Sequence, residues 1–184
     1  MLMIDLCAGL GGAHQAMRPP KWKVISVDND PRMPVTVVAD IRTWHYQGPR
    51  PDLIWASPTC TEFARESMPW FPHTGAPDLS LMLACKRIID EAIPNYWIIE
   101  NVRGAVPFFR PYLGQPTAIL GPFYLWGHYP NLNWIPNRRV QVNKEKLGPN
   151  VPNRAAIRGK IPYIISARLA EAIECQQQLW PQGI

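Results

Sequence analysis

Short apolar runs punctuate the chain: Leu2-Met3-Ile4, Val24-Ile25, Leu53-Ile54-Trp55 and Tyr96-Trp97-Ile98-Ile99, with Asp or Asn directly beside all but the second. Runs of this length without strict alternation suit strands buried on both faces of a sheet. The pattern predicts strands over 2–6, 23–27, 35–38, 52–56 and 96–100, and helices over 11–17 and 78–93. Asp78-Leu79-Ser80 offers a cap at the start of the long helix. Strand and helix in alternation predict an α/β fold with a doubly wound, mainly parallel sheet.

The pattern changes after residue 103. From 103 to 157 Pro, Gly and aromatic residues alternate with short β-like pieces, as in Gly121-Pro122-Phe123-Tyr124-Leu125-Trp126-Gly127-His128, predicting two or three antiparallel strands among irregular loops. A final helix is expected over 162–178. The stretch from Thr61 to Pro77, with Met68-Pro69-Trp70-Phe71-Pro72-His73, is too long and proline-rich for a simple connector, and such loops are often functional. With 184 residues and 47% hydrophobic content, one domain over 1–184 with a substantial core is expected.

Three motifs fall at predicted strand exits. Asp5-Leu6-Cys7-Ala8-Gly9-Leu10-Gly11-Gly12 follows the first strand, Pro58-Thr59-Cys60 the fourth, and Glu100-Asn101-Val102 ends the fifth. Ligands bind at the carboxyl edge of open α/β sheets, so a glycine turn, a thiol and an acid are expected to line one site. Each also has a plainer reading. Cys60 could be a small apolar residue at a strand end, and Glu100 could cap a helix or pair with an arginine.

Together these motifs resemble the cytosine-5 DNA methyltransferases. Asp5 to Gly12 is similar to that family's cofactor loop, Pro58-Thr59-Cys60 to its Pro-Pro-Cys nucleophile loop, and Glu100-Asn101-Val102 to its Glu-Asn-Val motif. Val27-Asp28-Asn29 resembles the acidic strand end that holds the cofactor ribose, and Ala39-Asp40-Ile41 the Gly-Asp-Ile beside the adenine. Ile161-Pro162 and the following helix resemble the C-terminal motif that packs back beside the first helix. The likeness covers residues 1–110 well and 158–174 loosely. Thr59 stands where the family has a second proline, Cys7 where it has an aromatic, and Lys160 where it has Asn.

The resemblance implies a Rossmann-like fold and methyl transfer from S-adenosylmethionine to carbon 5 of cytosine in DNA. It implies Cys60 as nucleophile at carbon 6, Glu100 as the acid at N3, Asn101 beside it in the catalytic motif, and Arg138 or Arg139 at the base oxygen. Asp5, Cys7, Gly9, Leu10, Gly11, Gly12, Asp28, Asn29, Asp40, Ile41 and Pro58 would hold the cofactor. Arg138 and Arg139 could equally be phosphate contacts or surface pairs. Exposure and a nearby Arg65 or Arg103 are expected to lower the Cys60 pKa. Burial is expected to raise that of Glu100. The segment 103–157 stands where larger members carry a target-recognition domain, so short or relaxed sequence recognition is expected, helped by a second subunit or another protein.

Charge adds a modest pointer. Lys plus Arg outnumber Asp plus Glu by 19 to 14, a net +5, with basic residues gathered in the second half. That suits a polyanionic partner, or an ordinary solvated surface. Four cysteines without Cys-x-x-Cys spacing encode neither a zinc site nor a disulfide framework; Cys85 and Cys175 read as spectator thiols. No apolar run is long enough for a membrane span and no secretory signal is visible, so the expectation is a cytoplasmic protein of a bacterial or phage-infected cell. Two other readings stay open: methylation of RNA, single-stranded DNA or a free pyrimidine nucleotide, and a non-catalytic nucleic-acid-binding descendant.

Overall fold

The computed structural model describes residues 1–64, 75–132 and 154–179. Its centre is one mixed, mostly parallel sheet of seven strands: β1 (Leu2–Leu6), β2 (Lys23–Asp28), β3 (Val37–Val38), β4 (Leu53–Ala56), β5 (Tyr96–Asn101), β6 (Ala118–Leu120) and β7 (Phe123–His128). The order across the sheet is β3-β2-β1-β4-β5-β7-β6. The first five run parallel, and β7 lies antiparallel against β5 with β6 folded back on it. The helices are α1 (Ser80–Ala92), α2 (Val106–Leu113), α3 (Arg154–Gly159) and α4 (Tyr163–Leu179).

Successive residues of a strand point to opposite faces, and here each face has its own core. Met3, Leu53, Trp55 and Ile98 pack with Ile165, Leu169 and Ile173 of α4. Ile4, Ile54, Ala56 and Ile99 pack with Met82, Cys85, Ile88 and Ile89 of α1 and with Phe109 of α2. Covering on both sides explains why the strand sequences are nearly uninterrupted apolar runs.

The helix expected over 11–17 is absent; residues 10–16 form consecutive turns. Gly9 and Gly11 have φ of 51° and 68°, values that break a right-handed helix. α1 starts later than expected because Asp78 acts from outside it: its carboxylate accepts the Ser80 N–H and the Ser80 hydroxyl, both at 2.8 Å. Left-handed Ile93, φ 47°, ends that helix. α2 and α3 were not foreseen. Two antiparallel strands do arise within 103–157, as extensions of the main sheet, while residues 133–153 lie outside the described ones. No helix among the described residues is long and apolar enough to cross a membrane.

Candidate functional site

The strand order reverses between β1 and β4, where connections leave to opposite sides and a crevice opens at the carboxyl ends. The glycine turn leaves β1 on one side of that crevice, and the Cys60 loop leaves β4 on the other. In register Ala56 sits beside Leu6 on one side and Ile99 on the other, so Ser57 and Glu100 emerge together at the rim.

The glycines of the turn have separate jobs. A Cβ on Gly9 would meet nothing within 4 Å, so this φ-positive residue presents bare backbone to open space. A Cβ on Gly11 would meet the His14 ring at 2.6 Å, and one on Gly12 would meet the Ile161 backbone nitrogen at 2.5 Å. Gly12 is therefore a packing requirement, letting the segment before α4 close on the turn. Gln15 completes that clasp by donating to the Gly12 and Ile161 carbonyls, both at 2.8 Å. The Ser166 hydroxyl donates to the Ala13 carbonyl at 2.7 Å and accepts the Ala16 N–H at 3.0 Å. Leu10 lies half-buried in the turn.

Asp5 lies beneath the turn, 1% exposed. Its Oδ2 is 2.7 Å from His14 Nδ1, while Oδ1 is buried without a hydrogen-bond partner. Burial pushes the Asp5 carboxyl up, and the His14 bond offsets part of this. An unpaired buried acceptor is costly. Cys7 is left-handed at φ 55°. A hydrogen bond between its thiol and that of Cys85, together with burial, pushes its pKa far up.

On the other side of the crevice Cys60 opens a 3-10 turn, Thr61–Phe63, and is partly buried. Its thiol titrates above the ordinary value because of burial first and the nearby Glu100 carboxylate second. This reverses the expected lowering: Arg103 is exposed and does not act on the sulfur, and Arg65 lies outside the described residues. Glu100, 8% exposed, is pushed up to about 7 by burial, with a Ser57 hydrogen bond pulling the other way. No described arginine pairs with it.

Ser57 is a site residue that the sequence reading missed. The Trp55 indole N–H donates to Ser57 Oγ at 2.7 Å. An indole can only donate, so the Ser57 oxygen accepts there and its own proton is free for Glu100.

Asn101 does not face the thiol directly. Its amide donates to the Pro58 carbonyl at 2.9 Å and its oxygen accepts the Val102 N–H at 2.9 Å. Asn101 thus ties the end of β5 to the Cys60 loop as a positioning residue, and Pro58 is a buried part of that tie. Gly104 adds to it, since a Cβ there would run into the Phe63 carbonyl. Phe63 anchors the loop against Phe108 and Phe109 of α2, with ring centroids 6.0 and 5.1 Å apart.

The acids expected on the β2–β3 side are already engaged. Asp28 accepts the Gly9 N–H at 2.9 Å and the Asp30 N–H at 3.0 Å. Each oxygen keeps a lone pair, so Asp28 both fixes the turn and can take a ligand hydroxyl. Asp40 is held by Arg42 at 2.6 to 3.0 Å, and these hydrogen bonds lower its pKa. Ile41 is 3% exposed and belongs to the core. Asn29 is exposed, and Arg138 and Arg139 lie outside the described residues. Among the described residues no cluster of His, Cys, Asp and Glu could hold a metal ion.

The chain matches no protein-family model and no curated protein. Among solved structures it is similar to a candidate DNA modification methyltransferase encoded within a prophage (E. coli), with 17% identity and a TM-score of 0.46. That match covers 70% of this chain and 46% of the other, so the chain spans about half the length of its neighbour.

Proposed function

We propose that the protein transfers a methyl group from S-adenosylmethionine to carbon 5 of cytosine in DNA, on a Rossmann-like methyltransferase fold. The observation that carries this reading is the meeting of the Cys60 thiol with a buried Glu100 whose pKa stands at about 7. A nucleophile beside a carboxylic acid that keeps its proton near neutrality is what addition to a pyrimidine requires.

Carbon 5 of cytosine is a poor nucleophile until the ring loses its aromaticity. In the proposed reaction Cys60 Sγ releases its proton to water and bonds to carbon 6, and the electrons of the 5,6 double bond shift through carbon 4 toward N3. The Glu100 proton neutralises the charge that develops there. Protonated Glu100 has a second effect: with its negative charge gone, one of the two causes that raise the thiol pKa disappears. After methylation the carbon-5 proton passes to water, the 5,6 double bond re-forms as Sγ leaves as a thiolate, and the N3 proton returns to Glu100.

The residues of the opposite half fit S-adenosylmethionine on the observations above: the bare face of Gly9, the unpartnered Asp5 Oδ1 and the free lone pairs of Asp28. When bound there, that group supplies the electrophilic methyl that carbon 5 accepts. The proposed holding set is Asp5, the turn from Cys7 to Gly12, Asp28, Asn29, Asp40, Ile41 and the Pro58 rim.

A cytosine inside a duplex is out of reach of a thiol in a crevice, so the base is rotated out of the stack. Exposed Arg103, Arg110, Arg158 and Lys160 suit phosphate contacts, and Arg138 or Arg139 is proposed at the base oxygen. β6 and β7 are committed to the sheet, which leaves little of 103–157 for reading base edges and favours a short target.

The test is nucleoside mass spectrometry of duplex DNA treated with the full chain and S-adenosylmethionine, alongside trapping on DNA containing 5-fluorocytosine. The expected result is 5-methylcytosine and a denaturant-stable adduct, both lost in Cys60→Ala. Methylation that survives Cys60→Ala, or methyl groups found only on other atoms, overturns the reading.

A further inference from the structure

We propose that Arg87 is a positioning residue for the adenine side of the cofactor site. The inference rests on the preceding reading for what binds there; the geometry it starts from stands independently.

Residues 40–44 form a single helical turn. The Asp40 carbonyl accepts the Thr43 N–H at 3.1 Å and the Trp44 N–H at 2.9 Å. The Asp40 side chain closes the start of the turn by accepting the Arg42 N–H at 3.0 Å and its guanidinium. One turn with no successor leaves its last carbonyls without helical donors. Arg87, on α1 more than forty residues away in sequence, supplies them: its Nη2 donates to the carbonyls of Ile41 and Trp44, both at 2.9 Å. A cation at the carboxyl end of a helical turn also complements the local dipole.

The other end of the guanidinium is held as firmly. Nη1 donates to Glu91 Oε1 at 2.9 Å and to His45 Nδ1 at 2.9 Å, so Arg87 is fixed by its own helix while it grips the turn. A planar fork can satisfy two carbonyls and a carboxylate at once, whereas an ammonium is a compact point charge on a flexible stem. Arg87 therefore fixes the carboxyl end of the turn that carries Asp40-Ile41, the pair proposed to flank the adenine. Arg87 itself touches no cofactor; it acts through Ile41 and Trp44.

The experiment is titration of the full chain with S-adenosylhomocysteine and with adenosine, for wild type, Arg87→Ala and Arg87→Lys, with urea unfolding of each. Arg87→Ala is expected to bind both ligands ~10- to 100-fold more weakly, the range set by loss of charge-assisted hydrogen bonds. Arg87→Lys should recover part of that loss, and kcat at saturating cofactor should stay within about twofold. Affinity unchanged in Arg87→Ala overturns the inference, even if its urea midpoint falls. So does a loss seen with S-adenosylhomocysteine and not with adenosine. Should Arg87→Ala fail to fold, wild-type affinity in both Arg87→Lys and Arg87→Gln overturns it. Wild type that binds no S-adenosylhomocysteine instead removes the cofactor assignment, a result separate from any of these.

Discussion

The two banks of the crevice treat carboxylates in opposite ways. On the β4–β5 bank Glu100 is buried, has one hydroxyl for company and holds its proton to about pH 7. On the β2–β3 bank Asp28 and Asp40 sit near solvent, already accepting backbone N–H groups or an arginine. Proton transfer needs a site where charge is costly, so that a carboxyl stays neutral. Holding a polar ligand needs acceptors that are ionised and fixed in place before the ligand arrives. The sheet edge supplies both settings: a dry corner beside Trp55 and Ile99, and an open rim beyond β3.

Removing the acid should separate the banks most sharply. Glu100→Gln is expected to lower kcat by roughly 10²- to 10⁴-fold, the usual worth of a general acid, with S-adenosylhomocysteine affinity unchanged. Its stability profile carries a second signature. The folded pKa of about 7 lies above the ordinary 4.5, so the folded state binds the extra proton between those values. Stability from this group is full below pH 4.5 and falls by on the order of 3 kcal/mol as pH rises through 7. Urea unfolding of Glu100→Gln at several pH values should show that slope reduced, and an unchanged slope would remove the acid assignment.

Gly12→Ala probes the other bank. Its Cβ would lie 2.5 Å from the Ile161 backbone nitrogen, which must move away. Overpacking of this kind costs about 1–3 kcal/mol, and cofactor affinity should drop ~10-fold while the alkaline pH limit of kcat stays in place. A shifted limit would mean that the banks are not independent.

Ser57→Ala should give the smallest effect and the most particular one. The Ser57 bond lowers the Glu100 pKa, so its loss should move the alkaline limb of the rate profile to higher pH. The rate at neutral pH should change by ~10-fold or less. A limb that moves downward contradicts the proton arrangement along Trp55, Ser57 and Glu100.

Much of the scaffold was readable from residues alone. Runs such as Leu53-Ile54-Trp55-Ala56 are buried on both faces, so their apolar character is unmixed and marks strands directly. α2 escaped because Pro107 and Pro111 read as breakers. The first is harmless in an opening turn, and the second sits near the end of the helix. The sequence singles out Cys60, Glu100 and Gly9 by their motifs, and gives no sign of the contacts made by Ser57, His14, Gln15, Ser166 and Arg87. These act through contacts made only after folding, as in the Gln15 bond to Ile161, and carry no local spacing. The direction of the Cys60 shift was missed for a related reason: a loop position suggested exposure, whereas Phe63 and Gly104 draw the loop down onto α2.

The clasp of Gln15 and Ser166 on the glycine turn joins residues 146 and 153 positions apart in the chain. A nascent chain that has not yet emerged past residue 166 lacks the backbone and hydroxyl that close the turn. Contacts so far apart in sequence form late and slowly. The glycine turn therefore closes only once residue 166 has emerged, when every described strand of the sheet is already made.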